Sequence, residues 1–146
     1  MKNPRLRAEV MILNEDLSKV LVQCDLSETF YRFPGGSIEF GETAKEAIIR
    51  ELMEEYDLKI DVQELAVVNE HIFEWNNEKG HHCTLIHWGT VQEMVTNEIR
   101  HKEHENIILI WKSIEELKEK PTYPEGIVSC LEENDRKIVH FISKDK

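Results

Sequence analysis

Cysteine is scarce in this chain. Cys24, Cys83 and Cys130 are the only three, odd in number and far apart. That spacing argues against the disulfide framework of a small secreted protein and suits a reducing compartment, so a cytoplasmic location is expected. No stretch of about 18 apolar residues occurs, which excludes a transmembrane helix. The basic start, Met1 to Arg5, has no long apolar stretch behind it, so no signal peptide is read. Positive charge is also in short supply: 18 Lys and Arg stand against 29 Asp and Glu, for a net charge of -11. A chain this acidic repels a bare phosphate backbone, so DNA is not an expected partner, and neither is a membrane. A small anionic ligand is not excluded, because carboxylates that recruit divalent cations reverse the local field.

What is present reads as an ordinary globular protein. The 146 residues are 40% hydrophobic and 32% charged, which suits a single domain over residues 1–146 with one core. Repeats, low-complexity segments and linkers are absent. Residues 6–13 and 19–24 read as strands, with turn chemistry at Asn14, Glu15 and Asp16. The aromatic stretch Phe30 to Phe33 ends at Pro34, Gly35 and Gly36, where proline stops a strand and two glycines permit a tight path. Residues 62–75 and 82–91 are apolar-rich, and Asn76 to Gly80 between them signals a hairpin. A buried strand is predicted over 106–111, a short helix capped by Ser113 through Leu117, a helix over 125–131 and a closing strand over 138–142. Helices interspersed with strands and hairpins predict an α/β fold with a mixed sheet.

Thr43 and Glu46 match a capping box, which starts a helix predicted to run to Tyr56 and to exit through a left-handed Asp57. At about 100° per residue, Ile48, Ile49, Leu52, Met53 and Tyr56 gather on one side as the expected sheet-facing stripe. Glu51, Glu54 and Glu55 gather on another, at spacings i, i+3 and i+4. Ala44 and Ala47 lie near that acidic face and leave room above it. Like charges so placed oppose helix formation by a few tenths of a kcal/mol per pair, roughly. A cation among them resolves the conflict, and hard oxygen ligands suit Mg²⁺ or Mn²⁺. Solvated surface charge is the plainer reading of a glutamate-rich helix taken alone.

The surroundings of that helix carry more. Gly36 is followed by five residues and Glu42, then by seven residues and Arg50-Glu51-Leu52, then by one residue and Glu54-Glu55, and finally by Tyr56, Asp57 and Leu58. This pattern resembles the Nudix box at every fixed position except the last glycine, here Asp57. A chance match of this length is on the order of one in a million at average composition. The resemblance implies a Nudix-type α/β/α sandwich. It also implies a pyrophosphohydrolase acting on a nucleoside diphosphate linked to another group, either a nucleoside triphosphate or a nucleotide sugar such as ADP-ribose.

Residue by residue, the resemblance implies Glu51, Glu54 and Glu55 as metal ligands. It makes Glu54 an alternative proton acceptor, and Arg50 an orienting group for the glutamates with Glu42 as its natural partner. A direct contact from Arg50 to phosphate is the alternative. Gly36 is expected under the metal where a Cβ would intrude, and Gly35, Gly36 and Phe33 are candidates for touching substrate. Family members often add a glutamate from a later loop. Glu103 and Glu105 are the candidates, and Glu105 is preferred as the nearer to the 106–111 strand. Homodimers are common in the family, although no residue pattern marks a dimer surface.

Other features carry less. His81, Cys83 and His87 alternate onto one strand face, but no paired ligand motif accompanies them, so a structural or surface role is expected rather than zinc. Phe73 and Trp75 suit hairpin packing better than base stacking, and Tyr31 is a further candidate for a pocket wall. A nucleotide-sensing module on the same fold would usually have lost box glutamates, and all are here. Removal of pyrophosphate from an RNA 5′ end is disfavoured by the lack of a basic stripe.

Overall fold

A computed structural model describes residues 2–133 and 136–145. The strands are β1 (Arg5–Leu13), β2 (Lys19–Asp25), β3 (Gly35–Ser37), β4 (Ile60–Trp75), β5 (Glu78–Val91), β6 (Ile99–Arg100), β7 (Ile107–Ser113) and β8 (Val139–Lys144). The helices are α1 (Ala44–Tyr56), α2 (Ile114–Lys118) and α3 (Ile127–Glu132). The strand order is β6-β7-β2-β1-β5-β4-β8, with β3 also paired to β1. β1 runs parallel to β5 and β4 parallel to β8, while the remaining pairs are antiparallel. The sheet is therefore mixed, as expected.

Alternation along the strands gives each sheet face its own core. Val10, Ile12 and Leu21 face Ile48, Leu52 and Tyr56 of α1. Met11, Val20, Val22 and Ile86 face the opposite way, toward Leu117 of α2 and Ile127 and Leu131 of α3. Helices thus cover both faces, the α/β/α arrangement. At about 25 cal/mol per Å², burying such side chains contributes roughly 1.5–3 kcal/mol each, which is why the pattern dictates the layers.

One edge of β1 changes partner along its length. Ile12 and Leu13 pair with β2, whereas Arg7, Ala8 and Glu9 pair with β3. The switch leaves a notch between β2 and β3, beneath the C-terminal half of α1. Gly35 permits it, because a Cβ there would lie 2.0 Å from the Ala8 carbonyl oxygen.

Several expectations are corrected. The hairpin turn is Asn76-Asn77, both left-handed with φ of 51° and 65°, and the strand resumes at Glu78. Two consecutive left-handed residues give the tight turn whose twist matches the flanking strands. Gly80 lies inside β5 because the Phe73 ring occupies the space of its missing Cβ, 2.2 Å away. Ile49 is 48% exposed, and Ala47 is buried in the core rather than leaving room on an acidic face. The inward stripe of α1 is Ala47, Ile48, Leu52 and Tyr56, rotated toward the ridge that Ala47 shares with Glu51 and Glu55. The third helix starts at Ile127, after Gly126 in the left-handed region.

Candidate active site

The notch holds a cavity of about 270 Å³. Its walls come from distant stretches: Arg7 of β1, Gln23 of β2, Arg32, Phe33 and Gly35 leading into β3, and Glu51, Glu54 and Glu55 of α1. His101, Glu103 and His104 close it from the loop between β6 and β7, beside Ile107.

Helix α1 is fixed at both ends. Thr43 Oγ1 accepts from the Glu46 amide at 3.2 Å, and Glu46 Oε1 accepts from the Thr43 amide at 3.0 Å. This is the predicted capping box, worth about 1 kcal/mol. Asp57 ends the helix at φ 53° and ψ 34°, donating its amide to Met53 O at 3.0 Å. Its carboxylate also meets Lys102 Nζ at 3.0 Å, which joins the helix exit to the loop that closes the cavity. A glycine could not make that contact.

Because the helix is rotated, its three glutamates differ. The side chains of Glu51 and Glu55 are 18% and 14% exposed, and Glu54 is 55% exposed. Arg50 lies behind them. Its Nε and Nη2 donate to Glu42 Oε2 and Oε1 at 2.7 and 2.9 Å, its Nη1 to Glu51 Oε1 at 2.9 Å and Glu54 Oε2 at 3.3 Å, and its Nη2 also to Ser37 O at 3.1 Å. These bonds hold Glu42 well below the usual carboxylate range, at about 2. The same contacts raise the Arg50 pKa further above its ordinary value. With its fork so engaged, Arg50 is placed to orient carboxylates, and neither it nor Glu42 lines the cavity.

Gly36 lies under Glu51. A Cβ at this position would stand 2.5 Å from the Glu51 carboxyl carbon and 2.7 and 2.8 Å from its oxygens. Glu55 is pushed up to about 8, first by burial and then by the charge of Glu51. Its Oε2 lies 2.6 Å from His101 Nε2, while its Oε1 is buried with no hydrogen-bond partner. Among the described residues no three His, Cys, Asp or Glu side chains already converge as a ligand group. The expected convergence of Glu51, Glu54 and Glu55 is thus incomplete, because Arg50 draws Glu51 and Glu54 toward itself.

Phe33, Gly35, Glu51, Glu54 and Glu55 line the cavity. Both loop glutamates are exposed, and the one that lines the cavity is Glu103, with Glu105 outside the lining. Among the groups that escaped the sequence reading are Arg7, Arg32 and His101. Arg32 alternates with buried Tyr31 and Phe33, which was the available signal that it faces elsewhere. With the Gln23 amide oriented to satisfy both neighbours, Gln23 Oε1 accepts from Arg32 Nε at 2.9 Å and Nη2 at 2.8 Å, and its amide nitrogen donates to the Tyr56 hydroxyl. Phe73 and Trp75 do not line this cavity. Trp75 is exposed, and Phe73 packs against His71 and His82. His87 Nδ1 meets Gln63 O at 2.7 Å, a structural role. No helix among the described residues is long and apolar enough to cross a membrane.

A NUDIX domain model matches residues 3–130 of this chain. Among solved structures, a mutator MutT protein from Bacillus halodurans is 18% identical, with 96% of this chain and 90% of that one covered and a TM-score of 0.68. An ADP-ribose pyrophosphatase from Streptococcus suis is 15% identical over 94% of this chain and 99% of that one, with a TM-score of 0.63. A NUDIX hydrolase from Nitrosomonas europaea is 15% identical over 98% and 81%, with a TM-score of 0.69. At these identities the structures speak to the fold, and the family model speaks to the sequence. Because its match spans most of the chain, including the stretch that runs from Gly36 through Glu42 and Arg50 to the α1 carboxylates that line the cavity, the chain belongs to the Nudix family and is a Nudix hydrolase.

Proposed function

We propose that the protein hydrolyses the pyrophosphate bond of a small nucleoside diphosphate derivative with a divalent cation, Mg²⁺ or Mn²⁺. The substrate is a nucleoside triphosphate or a nucleotide sugar such as ADP-ribose. The observation that carries this reading is Glu55. Its carboxyl is largely buried, Oε1 has no protein partner, and its ionisation is opposed by burial and by Glu51. A buried carboxylate in that state is costly unless a cation completes it. The cleft kept open above Gly36 for the Glu51 carboxyl supports the same fit.

Glu51 and Glu55 would hold the cation, with Glu54 as a third ligand or as the acceptor of the nucleophile's proton. When bound, the cation neutralises phosphate oxygens and lowers the pKa of a water molecule. The chain's own residues supply the rest. Arg50, clamped by Glu42, holds Glu51 and Glu54 in place. Arg7 and Arg32 bring positive charge to the other wall of the cavity, where a pyrophosphate needs it in a protein of net charge -11. Phe33 and Gly35 give that wall its shape.

A panel of nucleoside triphosphates and nucleotide sugars, assayed with Mg²⁺ and with Mn²⁺ and with products identified, tests the reading. Turnover should vanish with chelator and fall by orders of magnitude in Glu54→Gln or Glu55→Gln, each with the fold retained, since Gln keeps the size of Glu and leaves no cavity or unpaired charge. Activity indifferent to chelator, or intact in both variants, would sink it.

A further inference from the structure

His101 has a determinate tautomer. Its side chain is 4% exposed. Ring atom Nδ1 faces two backbone donors, the amides of Glu103 at 3.0 Å and His104 at 3.2 Å. A nitrogen that accepts N–H bonds carries a lone pair, so the proton of the neutral ring sits on Nε2. That nitrogen is 2.6 Å from Glu55 Oε2, and so Nε2–H donates to the carboxylate. The ring packs against Tyr56 at 5.2 Å and His104 at 4.7 Å between centroids. Beside it, the Lys102 amide donates to the Glu55 carbonyl at 2.8 Å. One imidazole therefore joins the carboxylate of Glu55 to the backbone of the loop that carries Glu103.

We infer that His101 is a positioning residue. As the neutral Nε2–H tautomer it occupies Glu55 Oε2, leaves Oε1 for a cation, and fixes the loop that brings Glu103 to the cavity. A neutral donor orients the carboxylate without supplying a charge that competes with the cation. The inference rests on the divalent-cation reading of Glu51 and Glu55.

Three measurements test it. Nitrogen-15 NMR of the imidazoles in chelated wild-type protein should show Nδ1 unprotonated and Nε2 protonated for His101. Mn²⁺ binding, followed by electron paramagnetic resonance without substrate, should weaken about 10- to 100-fold in His101→Leu, the range typical of lost partners of metal ligands. His101→Gln keeps an N–H donor and should bind Mn²⁺ close to wild type. The reverse tautomer overturns the inference, and so does His101→Leu with wild-type Mn²⁺ affinity. If His101→Gln is as impaired as His101→Leu, the ring serves packing alone and the inference also falls. Should His101→Leu fail to fold, the NMR and His101→Gln results still decide. Donor-dependent Mn²⁺ binding with no pyrophosphate cleaved would uphold this inference and defeat the pyrophosphohydrolase reading. Turnover with no such dependence would do the opposite.

Discussion

Arg50 grips both oxygens of Glu42, with Nε to Oε2 at 2.7 Å and Nη2 to Oε1 at 2.9 Å, across eight residues of sequence. The pair lies behind the cavity, so its effect on chemistry passes through Glu51 and Glu54, which share Nη1. Lysine offers a point charge in place of a planar fork and cannot reach all five acceptor oxygens. Arg50→Lys should therefore lower turnover about 10- to 100-fold with helix content unchanged, measured by steady-state kinetics beside circular dichroism. Equal turnover in the variant would mean that the fork does not hold the carboxylates in the working enzyme.

The adjacent glycines should fail in different ways. The three atoms nearest to a Cβ on Gly36 all belong to the tip of the flexible Glu51 side chain, which can move aside. Gly36→Ala should keep a near-wild-type unfolding midpoint and lose most activity as Glu51 is displaced. A Cβ on Gly35 meets the backbone of Ala8 and Glu9, which cannot move without breaking the β1–β3 pairing. Gly35→Ala should cost roughly 1–3 kcal/mol of stability, the usual range for forced overpacking. Thermal unfolding of the two variants side by side separates these outcomes, and identical stability losses would count against the distinction.

Much of this was legible along the chain because it is local. The capping box at Thr43 and Glu46, the left-handed exit at Asp57 and the spacing of Gly36, Glu42 and Arg50 all lie within one stretch. The walls of the cavity were not legible for the same reason. Arg7 and His101 reach it through pairings of β1 with β3 and of β6 with β7, contacts that no periodicity encodes. The helix stripe was misjudged at Ile49 because hydrophobicity alone centred it too far from Ala47, which is buried although its side chain is small. Gly80 looked like a turn residue, but its role depends on a cross-strand partner, Phe73.

On the other face of the sheet, Lys112 is largely buried and meets Glu28 Oε1 at 2.5 Å, and the Tyr31 hydroxyl donates to the same oxygen at 2.9 Å. The hydrogen bond from Lys112 holds Glu28 below its ordinary 4.5. A depressed carboxyl contributes stability that is present above its unfolded value and is lost as pH falls through its folded one. Glu28→Gln should thus be less stable than wild type at about pH 7, and the gap should close as pH falls below the ordinary 4.5 of a glutamate. Thermal unfolding across that window checks the sign. A gap that widens in acid would show that Glu28 is not charged in the folded protein.

Glu103 and Glu105 are two residues apart and differ in what they face. The Glu103 amide is anchored on His101 Nδ1, and the residue lines the cavity with Glu51 and Glu54. Glu105 projects from the exposed turn that leads into β7. A carboxylate that assists the reaction must reach the water or the cation, directly or through one further water, and of the two glutamates Glu103 is the one that lines the cavity. Glu103→Gln should lower turnover by about 100-fold or more if it takes a proton, and by less if it only tunes the cation. Glu105→Gln should match wild type in both turnover and Mn²⁺ affinity. Each variant is assayed at saturating and at limiting Mn²⁺. A loss that high Mn²⁺ restores marks a binding role, and a loss that persists marks a proton-transfer role. If Glu105→Gln is the variant that fails, the loop closes over the substrate in a different arrangement, and the assignment passes to Glu105.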